Sequence, residues 1–168
     1  MEPLDQAVDH VRGASEGRLI LEYGDYECPY SRRAFREIER VERQLGNGVR
    51  FAFRQFPLTE IHPHALAAAA AGEAAALQDR FWNMHELLFR GQSALEDGDL
   101  RRYAAELELD VERFDSDRAG AAVFERIRRD VDSGIASGEV QGTPTLFIDG
   151  VVHRGNYHAA TLLEALAR

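Results

Sequence analysis

The side chain with the clearest chemical potential is Cys28, the only cysteine in 168 residues. One cysteine excludes an internal disulfide, a multi-cysteine zinc site and an iron–sulfur cluster held within one chain. Three roles remain: a buried core residue, a lone reactive thiol, or a thiol that pairs with another molecule. Its neighbours favour reactivity. Pro29 follows it, and proline suits the first position of a helix because the N–H it lacks would be unpaired there. A thiol at a helix start faces free N–H groups and the positive end of the helix dipole. Both lower its pKa from about 8.5 and favour the thiolate, which is the nucleophile. Ser31 lies three residues on, with a hydroxyl able to donate to the sulfur. Arg32 and Arg33 add positive charge, with Arg33 read as an ordinary solvent-exposed side chain.

Other polar residues carry weaker signals. All 20 basic residues are arginine, so lysine chemistry is excluded. His62 and His64 flank Pro63 but match no common zinc spacing, and no metal site is expected. His85 reads as a packing residue, and Phe81 and Trp82 as core or groove lining. His153 is given no role. The Arg126–Arg129 cluster reads as a solvated helix face.

The elements that must position Cys28 are legible as periodicities. Arg18–Gly24 (RLILEYG) reads as a short buried strand, with Leu19, Leu21 and Tyr23 on one face and Ile20 and Glu22 on the other. A helix from Pro29 to about Leu45 follows, with Phe35, Ile38, Val41 and Leu45 on one stripe and Gly46-Asn47-Gly48 as its stop. Val49–Phe56 alternates apolar and polar residues as a second strand. Strand, helix, strand of this length is a right-handed parallel βαβ unit. The middle of the chain reads as helices over His64–Gln78 (started by Pro63), Arg80–Phe89, a segment capped by Asp97 or Asp99 through Leu107, Val111–Phe114 capped by Asp110, and Arg118–Ser137. Thr143–Ile148 and Val151–Arg154 flank Asp149-Gly150, a hairpin signal, and Ala159–Ala167 closes the chain as a helix. One domain over 1–168 is expected: an N-terminal segment 1–17, a βαβ half 18–56, a helical insertion 57–138 and a ββα half 139–168.

Net charge is -9, which repels a phosphate backbone and argues against nucleic-acid partners. Met1–Gly17 has no basic and apolar signal pattern, and no apolar run is long enough to span a bilayer. The expectation is therefore a soluble, cytoplasmic protein without membrane partners, with a fusion partner in the full-length gene left open.

Two segments resemble a known family. Leu21-Glu22-Tyr23-Gly24-Asp25-Tyr26-Glu27-Cys28-Pro29-Tyr30-Ser31 resembles the active-site segment of the DsbA-like thiol–disulfide oxidoreductases of the thioredoxin superfamily. Gly142-Thr143-Pro144-Thr145-Leu146-Phe147-Ile148-Asp149-Gly150 resembles that family's cis-proline loop and the hairpin after it, and the helices between match its insertion. The resemblance implies an α/β thioredoxin fold with a helical insertion between the βαβ and ββα halves. It implies that Cys28 is the nucleophile, that Pro29 and Tyr30 are the dipeptide that tunes it, and that Pro144 is the cis-proline beside it. Thr143 is then the residue that faces the sulfur, and Glu22 a buried acid that relays protons.

Ser31 departs from the family's pattern, which has a second cysteine there. Serine has no redox chemistry, so this chain cannot hold an internal disulfide at that motif. A lone thiolate still attacks a disulfide, but an outside thiol must resolve the product. The resulting expectation is a monothiol oxidoreductase. It would reduce or exchange disulfides in disulfide-containing or thiol-modified protein substrates. It needs no bound cofactor and uses an external low-molecular-weight thiol such as glutathione as co-substrate. The alternatives are a glutathione-dependent transferase or isomerase of the kappa type, against which Cys28 in place of a leading serine counts, and a non-catalytic peptide-binding module.

Overall fold

A computed structural model describes residues 1–168 and contains five strands and seven α-helices. The centre is β2 (Arg18–Gly24), buried at every residue but its first. It pairs in parallel with β3 (Val49–Gln55) on one side and antiparallel with β4 (Thr145–Ile148) on the other. Strand β5 (Val151–Val152) extends the sheet beyond β4, and β1 (His10–Gly13) pairs antiparallel with the far side of β3. The sheet order is therefore β1-β3-β2-β4-β5.

Because strand side chains alternate, the sheet builds two cores. Ile20, Phe51, Phe53, Leu146 and Ile148 face one way, against Phe35, Ile38 and Val41 of α1 (Pro29–Leu45) and Leu162 and Leu166 of α7 (Ala159–Leu166). Leu19, Leu21, Tyr23, Ala52 and Phe147 face the other way. The helices between β3 and β4 are α2 (Ala65–Ala76), α3 (Phe81–Arg90), α4 (Asp97–Glu106), α5 (Val111–Arg118) and α6 (Ala121–Ala136). They extend the first core with Met84, Leu88, Phe89, Leu100 and Phe114.

Helix ends shift slightly from expectation, and each shift has a local cause. Pro63 lies ahead of α2, whose N-cap is His64. Glu96, not Asp97 or Asp99, stands at the N-cap of α4, and the Asp99 carboxylate accepts from its backbone N–H. Asp110 caps α5 as expected, accepting from the Arg113 N–H at 3.0 Å. The helix expected from Arg118 starts only after Gly120.

The larger surprise is the N-terminus. Residues 10–13 form an edge strand, although the segment is too short and polar to announce one. Arg54, expected on the polar face of β3, is fully buried and explains the strand. Its guanidinium donates to both Asp9 carboxylate oxygens, at 2.9 and 2.8 Å, and to the Tyr23 hydroxyl at 2.9 Å. It also donates to the carbonyls of Glu2 and Pro3. A planar cation with five donors is satisfied here by five separate contacts, which is what makes its burial tolerable.

The same network corrects the reading of Arg126–Arg129 as a solvated face. Arg129 reaches Asp9 and Asp130, and Arg126 pairs with Asp130 and approaches Glu73. Asp130 is itself buried and accepts from the Gln55 backbone N–H at 2.8 Å. Only Arg128 in that run is exposed.

Burial raises the Asp9 pKa, but the Arg54 hydrogen bonds overcome it and hold the carboxyl down at about 2. A depressed carboxyl stabilises the fold above its unfolded pKa near 4, and that contribution is lost as pH falls towards 2. Asp9→Ala leaves the Arg54 charge buried without its main partner. It should lower unfolding free energy by about 3–5 kcal/mol in denaturant titration. A loss below about 1 kcal/mol would show that the pair does not hold β1.

Candidate active site

Cys28 stands at the N-cap of α1 with an extended backbone (φ -72°, ψ 121°), and Pro29 opens the helix. β2 ends at Gly24, where a Cβ would lie 2.4 Å from the Phe53 ring, so no side chain fits there. Between the two elements, residues 25–28 form a turn closed by the Cys28 N–H on the Asp25 carbonyl at 3.1 Å. Asp25 organises that turn from inside. Its carboxylate accepts from the N–H groups of Glu27 (2.8 Å) and Leu58 (2.9 Å) and contacts His62 Nδ1 at 2.7 Å.

Cys28 is 3% exposed, and its thiol donates to the Thr143 carbonyl at 3.4 Å. The Thr143–Pro144 peptide is cis. The fold thus brings the Cys28 and Thr143–Pro144 segments, 115 residues apart in sequence, into contact. The Thr143 hydroxyl is buried without a partner in the same place. Tyr30 is 54% exposed and Pro29 is also exposed, so this dipeptide forms the outer lip of the site.

Ser31 does something other than expected. It is fully buried, and its hydroxyl oxygen accepts from the Asp25 N–H at 3.2 Å. No hydrogen bond joins it to the sulfur. The helix turn from Cys28 to Ser31 points the hydroxyl back under the loop, where it supports the turn.

Glu22 lies on the α1 side of β2, paired in register with Phe53 and Leu146. It is fully buried and neither carboxyl oxygen has a hydrogen-bond partner. Burial among apolar neighbours pushes its pKa up to about 8, with Arg12 opposing. It is therefore a neutral acid at pH 7, and its proton can leave within the range where thiols titrate.

Several residues of the site gave no sequence signal of their own. Gln92 donates from one Nε2 to the carbonyls of Tyr26 (2.8 Å) and Cys28 (2.9 Å), so α3 and the loop after it brace the turn. Tyr157, just before α7, feels burial, which raises its hydroxyl pKa, then Arg33, which lowers it, then Cys28, which raises it again. His62 and His64, which match no zinc spacing, sit against the two acids beside Cys28. His64 Nδ1 lies 2.9 Å from Glu27, a hydrogen bond that raises the His64 pKa. His85 is a buried packing residue with Nδ1 2.9 Å from the Tyr26 hydroxyl, and burial holds its pKa well below the ordinary imidazole range. Phe81 and Trp82 pack against it within the core. None of these contacts is encoded by spacing; each depends on the loops closing over one another.

Known proteins are similar to this chain in sequence and in fold. A family model described as thioredoxin matches residues 5–168. A thioredoxin-like oxidoreductase from Silicibacter pomeroyi has a similar structure (TM-score 0.83, 28% identity, 95% of this chain and 91% of that one). BdbD from Bacillus subtilis, in its oxidised form, superposes with TM-score 0.84 at 20% identity, over 97% of this chain and 93% of its own. That likeness concerns the fold alone. Among curated proteins, the Na(+)/H(+) antiporter NhaA 1 of Mycolicibacterium gilvum is 43% identical over 99% of this chain. The NhaA 3 antiporter of Salinispora tropica is 44% identical over 99%. This chain spans about a quarter of their length, 27% and 25% respectively.

These relatives overturn the cytoplasmic expectation. That expectation rested on the lack of a signal and of apolar runs within these residues. Sequence relatives named as antiporters, proteins of membranes, carry the same segment as a minor part of a longer chain. No helix here is long and apolar enough to cross a membrane, but the character of one segment does not place the whole protein.

The Glu22 shift sets a testable pH dependence. A carboxyl whose pKa is raised in the fold binds its proton more tightly than the unfolded chain does. Its contribution is fully present below about pH 4.5 and is lost as pH climbs through about 8. Glu22→Gln should keep the neutral shape and remove this loss, which is on the order of several kcal/mol for a shift of this size. Denaturant titrations from pH 5 to 8 should show a flatter profile for the variant, with Asp130, raised by burial to about 6, supplying a remaining slope. Identical slopes would mean that Glu22 ionises normally.

Proposed function

This chain belongs to the thioredoxin family, with the DsbA-like architecture, and on that premise we propose that it is a thiol–disulfide oxidoreductase working through Cys28 alone. One observation carries the reading: the sole cysteine stands at the N-cap of α1 with its sulfur on the Thr143 carbonyl of a cis Thr143–Pro144 peptide.

The reaction has two exchanges. The Cys28 thiolate attacks one sulfur of a substrate disulfide; a new S–S bond joins Cys28 to that sulfur, and the other sulfur leaves with the electron pair as a thiolate. An external small thiolate, of the glutathione class, then attacks the mixed disulfide. Its sulfur bonds to the substrate-derived sulfur, and Cys28 departs as thiolate, ready for another cycle. The oxidising equivalents end in the disulfide between the small thiol and the substrate-derived sulfur, and no cofactor is required. Helix N–H groups stabilise Cys28 as nucleophile and as leaving group. The Thr143–Pro144 segment offers backbone beside the sulfur for an extended stretch of a protein substrate. Glu22 supports the site as a buried acid: its carboxylate form takes up a proton as the thiol ionises, and its neutral form returns one to the departing thiolate.

The substrates are disulfide-containing or thiol-modified proteins. Since the curated relatives carry this segment within antiporter chains, the domain works as part of, or next to, such a membrane transporter. The relatives' lengths support that reading.

Mass spectrometry of the protein after exposure to oxidised glutathione tests this function. One adduct on Cys28 is expected, removed by added reduced thiol and absent in Cys28→Ser. Ser31→Cys should convert the same treatment into an internal disulfide, seen as a loss of two hydrogens in place of the adduct. An inert Cys28 would overturn the assignment.

A further inference from the structure

The rim of Cys28 differs in charge from side to side. On the β3–α2 side, the acids Asp25 and Glu27 are held by His62 and His64. On the α7 side lie Tyr30, Arg33 and Tyr157. The Arg33 guanidinium stands 5.5 Å from the centroid of the Tyr30 ring. It has no acid to neutralise it, and the reason is visible. Glu37, one helical turn on and the natural partner of Arg33, accepts from Arg40 and from the Ala159 backbone N–H at 2.8 Å. Glu39 is held by Arg90 at 2.7 Å. An exposed arginine is thus left uncompensated beside Tyr30, at the lip of the site, in a chain whose net charge is -9.

The Glu37–Ala159 bond has a second effect. It docks the start of α7, with Tyr157 just before it, on α1. The result is an unpaired cation over the Tyr30 ring at the outer lip of the site.

Resting on the reading that an external thiol resolves the Cys28 mixed disulfide, we propose that Arg33 selects that thiol by charge, favouring a small thiol with a free carboxylate. The carboxylate pairs with the Arg33 guanidinium, and the thiol's carbon chain lies against Tyr30 and Tyr157. The bound thiolate attacks the sulfur attached to Cys28. A disulfide forms between the small thiol and that sulfur, the Cys28–S bond breaks, and its electron pair returns to Cys28 as thiolate. A neutral or cationic thiol of equal nucleophilicity gains nothing from Arg33.

The experiment loads Cys28 with a thiopyridyl group by reaction with dithiodipyridine and follows release of the neutral thiopyridone by absorbance. Mercaptopropionate, mercaptoethanol and cysteamine serve as anionic, neutral and cationic probes at matched thiolate concentration. Their rates on free dithiodipyridine set the intrinsic scale. In the wild-type protein the mercaptopropionate-to-mercaptoethanol ratio should exceed that scale. The ratio should fall about two- to fivefold in Arg33→Ala, as expected for an exposed ion pair, and further in Arg33→Glu. Arg33→Lys should retain it, and added salt should shrink it. An unchanged ratio across wild type, Arg33→Ala and Arg33→Glu would overturn the selection by Arg33 while leaving the monothiol reaction intact. Failure of every probe to release the label would instead overturn the monothiol reading itself.

Discussion

The buried carboxylate of Asp25 is the contact on which the site depends. A chain that leaves a central strand and enters a helix within four residues must satisfy several backbone groups away from water. Asp25 takes the N–H groups of Glu27 and Leu58 and contacts His62, while its own N–H goes to the Ser31 hydroxyl. Gln92 adds donors to the outward carbonyls of Tyr26 and Cys28. With both sides of the turn held, Cys28 has one place to be: the first free end of α1, facing Thr143. The reactivity proposed for the sulfur is thus a property of the turn as much as of the thiol.

This arrangement changes the meaning of Ser31. From its position in the motif it replaces a redox partner, and its spacing suggests a donor to the sulfur. In the fold it is buried and supports Asp25. Loss of the second sulfur leaves the geometry of the turn intact, because a hydroxyl accepts the Asp25 N–H at that place. The departure from the family pattern removes internal disulfide chemistry while leaving the first cysteine at the N-cap of α1, facing Thr143.

Two kinds of buried charge serve the molecule differently. Glu22 is unpaired, so burial makes it neutral and responsive to pH. Arg54 and Asp9 are both buried and mutually satisfied, so they stay charged and hold the N-terminal strand to β3. The first arrangement belongs beside chemistry, and the second belongs at an edge that has few apolar side chains to hold it. The cluster of Arg126, Arg129, Asp130 and Glu73 extends the second arrangement across to α6 and α2.

The amino-acid sequence by itself determined the elements whose periodicity is apolar. β2, α1, β3 and the later helices and hairpin lie within a few residues of where alternation, helical stripes and turn residues place them, because those patterns follow from burying one face of each element. It also held the two segments that the fold brings together, since a single cysteine before Pro29 and a Thr143-Pro144 segment are visible without coordinates. Tertiary structure alone decided the rest. That Arg54 is inside and Arg128 outside depends on which acids the fold brings near. Strand β1 forms because Asp9 meets Arg54, a contact between residues 45 apart that no local pattern reports. Gln92 joins the site because the loop after α3 folds back onto Cys28. Arg33 is left free because Glu37 is occupied by Arg40 and by the start of α7. Periodicity encodes burial one element at a time, whereas the pairing of polar groups is settled only when the elements meet.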